Sequence, residues 1–252
     1  MSVLVVTGGS RGIGAAICRG GARRGMAVCV NYVANRDRAE AVVEEVRRAG
    51  GTAFAQRADV GDAGEVAAMF AAVDERLGPV TALVNNAGIM GSTGRVEDLD
   101  VAKTRRIFDV NVLGPFYCAK EAVRRMTTRN GGPGGAIVNI SSAAAKHGAP
   151  GAYLDYAVTK GAIETFTMGL AKELAGEGIR VNCVRPGFTR TEMNEEYMKD
   201  HPGWADEFLI RVPMGRSCSV EEMAEPVLWF LSDAASYVTG AAMDVTGGYT
   251  CP

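Results

Sequence analysis

The segment YLDYAVTKGA (153–162) carries two tyrosines and a lysine that could take part in proton transfer. In a helix Tyr156 and Lys160 are i,i+4 neighbours on one face, whereas Tyr153 has only Ala157 at that spacing. A tyrosine has an ordinary pKa of about 10, and a nearby ammonium lowers that pKa because it stabilises the phenolate. The spacing therefore selects Tyr156 as the candidate acid–base residue. Tyr153 is either a pocket wall or packing at the start of the helix.

Strands and helices that would position this pair alternate along the chain. The predicted strands are residues 2–7, 27–32, 52–58, 80–86, 135–141, 179–184 and 241–246, and the predicted helices are 12–24, 36–49, 62–77, 101–128, 154–176 and 219–232. The strands are apolar along their length, which is typical of parallel strands buried on both faces. The alternation predicts an α/β, Rossmann-type doubly wound parallel sheet of about seven strands, in a single domain over 1–252.

The first predicted strand leads directly into a glycine-rich loop, TGGSRGIG (7–14). Gly8 permits a tight turn, Gly12 lets a pyrophosphate approach the backbone, and Gly14 lets the following helix pack closely on the sheet. The free N–H groups at the start of that helix would then bind the phosphates. A glycine-rich turn without a ligand is the alternative, but the place after a buried strand favours a dinucleotide site.

The end of the second strand indicates which dinucleotide is bound. An acidic residue there would bind a free ribose 2′-hydroxyl, but this chain has Asn31 and Tyr32 at that point. Arg11, together with Arg36, could pair with a 2′-phosphate, and Asp37 is better explained by the start of a helix. We therefore expect NADP(H) to be preferred, with NAD(H) as the alternative. Both arginines could instead be solvated surface charges.

Five further motifs occur in order after the glycine loop. They are NNAG (85–88), NV (111–112), NISS (139–142), YAVTK (156–160) and RPGFTRT (185–191). With the glycine loop, this set closely resembles the short-chain dehydrogenase/reductase family over residues 3–248. The resemblance implies a homotetrameric oxidoreductase that transfers a hydride between a nicotinamide cofactor and a ketone or secondary alcohol. We expect residues 219–246 to contribute to its subunit interface.

The resemblance also implies roles for the residues of these motifs. Tyr156 would be the general acid or base, Lys160 would lower its pKa and bind the nicotinamide ribose, and Asn111 would hold a water. A serine at the end of the fifth strand would bind the substrate oxygen. Ser141 and Ser142 both qualify, and we favour Ser142 because the family's usual distance to the tyrosine is one residue shorter still, at Ala143. Ser141 would then close the strand end.

Cofactor contacts follow from the same resemblance. The glycine loop would contribute Gly8, Ser10, Arg11, Gly12, Ile13 and Gly14; the second strand Asn31 and Tyr32; the third Asp59 and Val60; the fourth Asn86, Ala87 and Gly88; the catalytic helix Tyr156 and Lys160; and the sixth Pro186, Gly187, Phe188, Thr189 and Thr191. Asp59 could equally be a strand-end cap. Residues 190–216 would form a helical substrate lid, or simply a surface helical pair.

Composition excludes several other classes of protein. A net charge of −2 gives no general attraction to nucleic acid or to an anionic membrane, and six scattered cysteines favour a reducing cytoplasm. His147 and His201 have no partner at metal-ligand spacing, so we expect no metal site; His147 either lines the substrate pocket or lies on a solvated loop. No signal peptide or membrane span is predicted. A non-catalytic dinucleotide-binding or redox-sensing protein is the competing interpretation, and a structural scaffold is less favoured.

Overall fold

The computed structural model describes residues 2–251, with the side chains at positions 193, 196 and 200 left out of the description. Its strands form one sheet and are β1 (Val3–Val6), β2 (Ala27–Tyr32), β3 (Ala53–Arg57), β4 (Ala82–Asn85), β5 (Gly135–Ile140), β6 (Ile179–Pro186) and β7 (Ala242–Val245). The strand order is β3-β2-β1-β4-β5-β6-β7, and every pair is parallel. This confirms the predicted Rossmann-type doubly wound sheet. Met1 and Pro252, which the single-domain prediction included, lie outside the described residues.

Helices connect the strands and cover both faces of the sheet. They are α1 (Gly12–Arg23), α2 (Arg36–Arg48), α3 (Ala63–Leu77), α4 (Val101–Phe108), α5 (Gly114–Met126), α6 (Ala144–His147), α7 (Leu154–Leu174), α8 (Glu192–Asp200), α9 (Trp204–Leu209) and α10 (Val220–Leu231). Asp62 caps α3, and Ser219 caps α10 through a reciprocal capping box with Glu222. No helix within residues 2–251 is long and apolar enough to cross a membrane.

Successive residues of each strand point to opposite faces of the sheet, so the apolar strands contribute side chains to two hydrophobic cores. Leu4 and Val6 of β1 pack with α1, α2 and α10 on one face. Val3 and Val5 pack with α3, α5 and α7 on the other. Uniformly apolar strands are therefore explained by helices on both faces, and the carboxyl ends of the strands remain free to form a site.

Residues 101–126 are helical throughout, close to the predicted 101–128, but they do not form one regular α-helix. A π-helical segment, Asp109–Leu113, separates α4 from α5. Pro115 has no N–H, so it cannot bond the carbonyl group of Asn111 four residues earlier, and the regular helical ladder is interrupted there. Asn111 lies in this segment and is hydrogen-bonded to Ile89, in the loop after β4.

Candidate active site

A cavity of about 700 Å³ opens where the strand order reverses between β1 and β4. Clefts at such a switch point, outside the carboxyl ends of parallel strands, are where doubly wound folds bind ligands. All the predicted site residues line this cavity except Asn111. Motifs separated by up to about 180 positions in sequence thus meet at a single site, because every strand ends at the same edge of the sheet.

The glycine loop turns sharply into α1 at one end of this cavity. Gly8 and Gly12 have φ values of 62° and 52°, which strain any other residue. A Cβ at Gly14 would collide with the carbonyl oxygen of Gly8. No side chain caps the N-terminus of α1, and its first turn contains no acidic residue. The backbone donors there are therefore directed at the cavity in a form that suits an anion.

Two asparagines hold the glycine loop in place. Asn31 accepts a hydrogen bond from Gly8 N at 3.1 Å and donates to Ala58 O at 3.0 Å. Asn86 donates through Nδ2 to Thr7 O at 2.9 Å and to Gly8 O at 3.2 Å. Both side chains thus support the loop, in addition to lining the cavity.

Tyr156 and Lys160 lie on the first turns of α7, as the i,i+4 spacing predicts. Lys160 is buried, donates to Ile140 O at 2.8 Å, and has its Nζ 5.4 Å from the centroid of the Tyr156 ring. A Cβ on Gly88 would lie 3.5 Å from that Nζ, which is ordinary van der Waals contact, so the NNAG motif runs directly beside the lysine. The lysine ammonium therefore lies below the tyrosine at the base of the cavity.

Burial controls the charge of both groups. It raises the pKa of Tyr156 to about 12, an effect that a hydrogen bond with Ser142 partly offsets. It lowers the pKa of Lys160 to about 8. In the protein without ligand, burial therefore outweighs the pKa-lowering effect of the lysine that sequence reasoning expected for Tyr156. At neutral pH the tyrosine holds its proton, which is the form that can protonate a carbonyl oxygen.

The two candidate serines have different surroundings. Ser141 is buried, and its Oγ lies 3.0 Å from Lys160 O and 2.8 Å from Glu164 Oε1, two acceptors that share its single hydrogen. Ser142 lines the cavity beside Tyr156, and its Oγ accepts from Ala144 N at 3.1 Å. Ser142 is therefore the serine with a hydroxyl next to the tyrosine, whereas Ser141 fastens β5 to α7.

We expect Ser142→Ala to lower kcat/KM for carbonyl reduction by roughly 10²-fold, because a donor to the developing oxyanion is lost. The same change at Ser141 should lower the free energy of unfolding by about 1–3 kcal/mol, since it leaves the Glu164 carboxylate without that donor, and should affect turnover less. Steady-state kinetics and urea denaturation of the two variants measure both effects. The opposite pattern would assign the substrate contact to Ser141.

Asn111 clamps the loop after β4 to the catalytic helix. Its Oδ1 accepts from Ile89 N at 2.9 Å, and its Nδ2 donates to Ile89 O at 3.0 Å and Thr159 Oγ1 at 3.2 Å. Both amide hydrogens are used, so the side chain could hold a water only through its remaining Oδ1 lone pair. The structure thus adds a clamping role that the motif did not reveal.

The arginine that lines the cavity at the end of β2 is Arg38, not Arg36. Arg36 is largely exposed and pairs with Glu40 at 3.7 Å. Arg38 is in the first turn of α2, lines the cavity, and its Nη1 is 3.6 Å from Glu192 Oε1. Asn35 caps α2 by accepting from Arg38 N. Residues two positions apart lie on nearly opposite sides of a helix, so only one of the two arginines can face the cavity.

Asp59 has the role of a turn cap as well as a position on the cavity wall. Its Oδ1 accepts from Gly61 N at 2.9 Å, and its Oδ2 pairs with Arg106 of α4 at 2.6 Å. The two roles left open by the sequence are therefore compatible. Arg106, which also lines the cavity, has no motif that could have identified it.

His147 ends α6, and it lines the cavity just before the loop that leads to α7. Ala149 N donates to its Nδ1 at 3.1 Å, and burial together with the charge of Arg211 lowers its pKa. The imidazole is therefore neutral at pH 7 with its hydrogen on Nε2. Ala149 has a φ of 48°, a strained value for an alanine, so this loop is held in one shape.

Comparison with known proteins identifies the chain. Residues 8–250 match the family described as "Enoyl-(Acyl carrier protein) reductase". An oxidoreductase of Escherichia coli K12, YgfF, is 49% identical over 98% of this chain and 100% of its own length. A variant of a Serratia marcescens short-chain dehydrogenase/reductase is 37% identical, with a TM-score of 0.91 over 99% of this chain and 98% of that one. The chain belongs to the short-chain dehydrogenase/reductase family.

This family membership makes the protein an oxidoreductase, and the family binds nicotinamide cofactors. A gluconate 5-dehydrogenase of Burkholderia cenocepacia, solved with NADP and tartrate, is 31% identical with a TM-score of 0.91 over 100% of this chain and 96% of that one. Members that share this fold thus act on different substrates, so the specificity of this short-chain dehydrogenase/reductase has to be inferred from its own cavity.

Proposed function

We propose that this protein is an NADP(H)-dependent oxidoreductase that interconverts a ketone and a secondary alcohol, with Tyr156 as general acid or base. The observation that carries the proposal is the cavity wall on which Tyr156, Ser142 and Lys160 meet. A proton donor, a second hydroxyl and a buried ammonium at one point suit an oxygen that gains negative charge.

The described residues fit a dinucleotide. The glycine loop leaves no room for a Cβ at Gly14, and the uncapped start of α1 offers backbone donors for a pyrophosphate. Thr189 and Asn194 close the other side, where Asn194 Nδ2 donates to Thr189 O at 2.7 Å. When bound, the nicotinamide supplies or removes the hydride.

The side chains of this chain would orient the substrate and move the proton. Ser142 would donate to the substrate oxygen and Tyr156 Oη would transfer its proton to that oxygen during reduction. Lys160 would stabilise the phenolate that remains, because its ammonium lies below the ring. In the reverse reaction Tyr156 would accept the proton of the alcohol as its phenolate, a form that the positive charge of Lys160 favours.

The experiment that tests this function is a cofactor-oxidation assay with ketones and with α,β-unsaturated carbonyl compounds, using NADPH and NADH separately. We expect ketone-dependent oxidation of NADPH. The enone separates reduction of a carbonyl group from reduction of a carbon–carbon double bond, which the description of the matching family names. Tight NADPH binding without turnover of any carbonyl compound would favour the non-catalytic alternative.

Arg38 supports the preference for NADP(H). We expect Arg38→Leu to raise KM for NADPH roughly tenfold or more and to leave KM for NADH nearly unchanged, because a charge-assisted contact to the 2′-phosphate is lost. Arg36→Leu is the matched control, since Arg36 is exposed and does not line the cavity, and it should change neither value. Equal effects of Arg38→Leu on both cofactors would contradict the assignment.

The same family membership supports a cytoplasmic homotetramer, with residues 190–216 as the lid. Besides the predicted 219–246 region, an apolar surface on α5 and α7 is available for a subunit contact. Phe116, Val158 and Met168 are each about half exposed there, at 46%, 50% and 50%. Light scattering of the purified protein measures the oligomeric state.

A further inference from the structure

Aromatic rings surround the space above Tyr156. We call this group the aromatic chamber; its members are Tyr153, Phe188, Tyr197, Trp204, Phe208 and Tyr249. All but Tyr249 line the cavity. They come from the start of α7, the segment after β6, the helices α8 and α9, and the end of the chain, so the chamber forms only in the folded protein.

The rings form an unbroken path that begins at the tyrosine of the site. Tyr153 lies 5.9 Å from Tyr156 with an interplanar angle of 81°, and 5.8 Å from Tyr197 at 89°. Tyr197 lies 5.1 Å from Trp204. These are edge-to-face contacts in which one ring offers its face and the other its edge. A planar ring that enters the chamber meets surfaces already arranged for such contacts.

The path continues around the far side of the chamber. Trp204 lies 5.3 Å from Phe188 at 84°, and Phe188 lies 5.5 Å from Phe208. Phe208 lies 4.5 Å from Tyr249, whose ring is 5.7 Å from His147. The wall opposite Tyr153 is thus aromatic too. The neutral imidazole of His147 beside it adds no charge.

The charged groups of the cavity, apart from Lys160, come from the segments around the glycine loop. The charged residues among those that line it are Arg11, Arg38, Asp59, Arg106, Lys160 and Glu192. Lys160 is buried below Tyr156, and the rest belong to the glycine loop, α2, the segment after β3, α4 and the start of α8. Arg211 is exposed and acts on His147, but it does not line the cavity. A carboxylate or phosphate in the chamber would have no direct charged partner, so an anion would be disfavoured there.

We propose that the aromatic chamber selects an uncharged ketone whose carbonyl carbon is attached to a planar aromatic ring. This inference rests on the proposed function and names its substrate class. In the reaction the carbonyl carbon gains a hydride as NADPH becomes NADP⁺, and the oxygen gains the Tyr156 proton, which gives a 1-aryl secondary alcohol. An aliphatic acyl chain would fill the chamber but would forgo the edge-to-face contacts, each favouring an aryl group by roughly two- to tenfold.

The experiment compares two unreactive carbonyl ligands of equal carbon number, benzamide and cyclohexanecarboxamide, by calorimetry on the enzyme–NADPH complex. We expect benzamide to bind roughly tenfold more tightly, although the cyclohexyl group is the more hydrophobic of the two. Equal binding, or tighter binding of the cyclohexyl ligand, would overturn the proposal. We expect 4-carboxybenzamide to bind at least tenfold more weakly than benzamide, and tighter binding would show that Arg211 recruits an anion.

Variants connect that preference to the chamber. Trp204→Leu should reduce the benzamide preference to threefold or less, and Phe208→Leu is the second variant if the first does not fold. Trp229→Leu is the matched control, since Trp229 lies on α10, packs against Phe230 and does not line the cavity. A preference that survives both chamber variants would overturn the proposal.

Failure of this inference can be told apart from failure of the proposed function. The amides are not reduced, so the aryl preference is measured without turnover. Reduction of ketones without an aryl preference would retain the proposed function and overturn the chamber's role. If the protein binds benzamide more tightly than cyclohexanecarboxamide but reduces no ketone, the chamber binds aryl groups as proposed. Its assignment to a ketone substrate would then be overturned.

Discussion

Replacing Tyr156 by phenylalanine is expected to lower kcat for carbonyl reduction by roughly 10²- to 10⁴-fold, the range that a positioned general acid contributes. The variant keeps the ring and removes only the hydroxyl, whose proton is retained at neutral pH because burial raises the pKa of Tyr156 to about 12. The affinity for NADPH should change less than threefold, since the phosphates bind at the distant glycine loop. Single-turnover kinetics and NADPH titration measure the two quantities.

Tyr153→Phe is the matched control for that experiment. Tyr153 lies 5.9 Å from Tyr156, lines the same cavity and also has a pKa that burial raises to about 12. It has alanine, not lysine, four residues later. Loss of the Tyr153 hydroxyl should therefore reduce kcat by less than tenfold. Wild-type-like turnover in Tyr156→Phe, or a larger loss in Tyr153→Phe, would reassign the proton donor.

The sheet and the motif positions could be predicted because they depend on local patterns. Apolar strands such as VLVV (3–6) had to be buried on both faces, and the glycines at 8 and 12 do adopt the positive φ values that a tight loop requires. Parallel strands end at one edge, so residues that close different strands had to come together. This reasoning needed no knowledge of side-chain contacts.

Other features depend on three-dimensional packing and could not be predicted in the same way. The structure begins α2 at Arg36, as predicted, so the choice between Arg36 and Arg38 depended on which side of that helix faces the cavity, and residues two apart lie on nearly opposite sides of a helix. The aromatic chamber draws on segments about 100 positions apart, which no spacing rule connects. The break at Asn111 did have a local indicator, since Pro115 lies within the predicted helix.

Burial of the Lys160 ammonium lowers the free energy of unfolding, and replacing the lysine should show by how much. Burial lowers its pKa to about 8 from an ordinary 10.5, which corresponds to a penalty of about 3 kcal/mol on the charged folded form. Below pH 8 the lysine is charged in both the folded and the unfolded chain, so the penalty is present in full. Between pH 8 and 10.5 the folded chain loses the proton first and the penalty declines. Above pH 10.5 both forms are neutral and the penalty is absent.

We therefore expect Lys160→Met to raise the free energy of unfolding at pH 7 by about 1–2 kcal/mol, after subtraction of the lost hydrogen bond to Ile140 O. The gain should disappear as the pH rises through the window from 8 to 10.5. Turnover should fall at least 10²-fold, because the phenolate loses its ammonium. Denaturation curves across this pH range, combined with kinetics at pH 7, measure both effects.

Lys172→Met provides the control, since Lys172 is exposed on the same helix and should show neither effect. The titration of Tyr156 between about pH 10 and 12 destabilises both the wild type and Lys160→Met. It therefore cancels when the free energies of unfolding of these two proteins are subtracted. A loss of stability in Lys160→Met at pH 7 would mean that the hydrogen bond to Ile140 outweighs desolvation of the ammonium. A gain in stability with a loss of turnover would mean that the fold tolerates a buried charge at this position because the proton transfer at Tyr156 requires it.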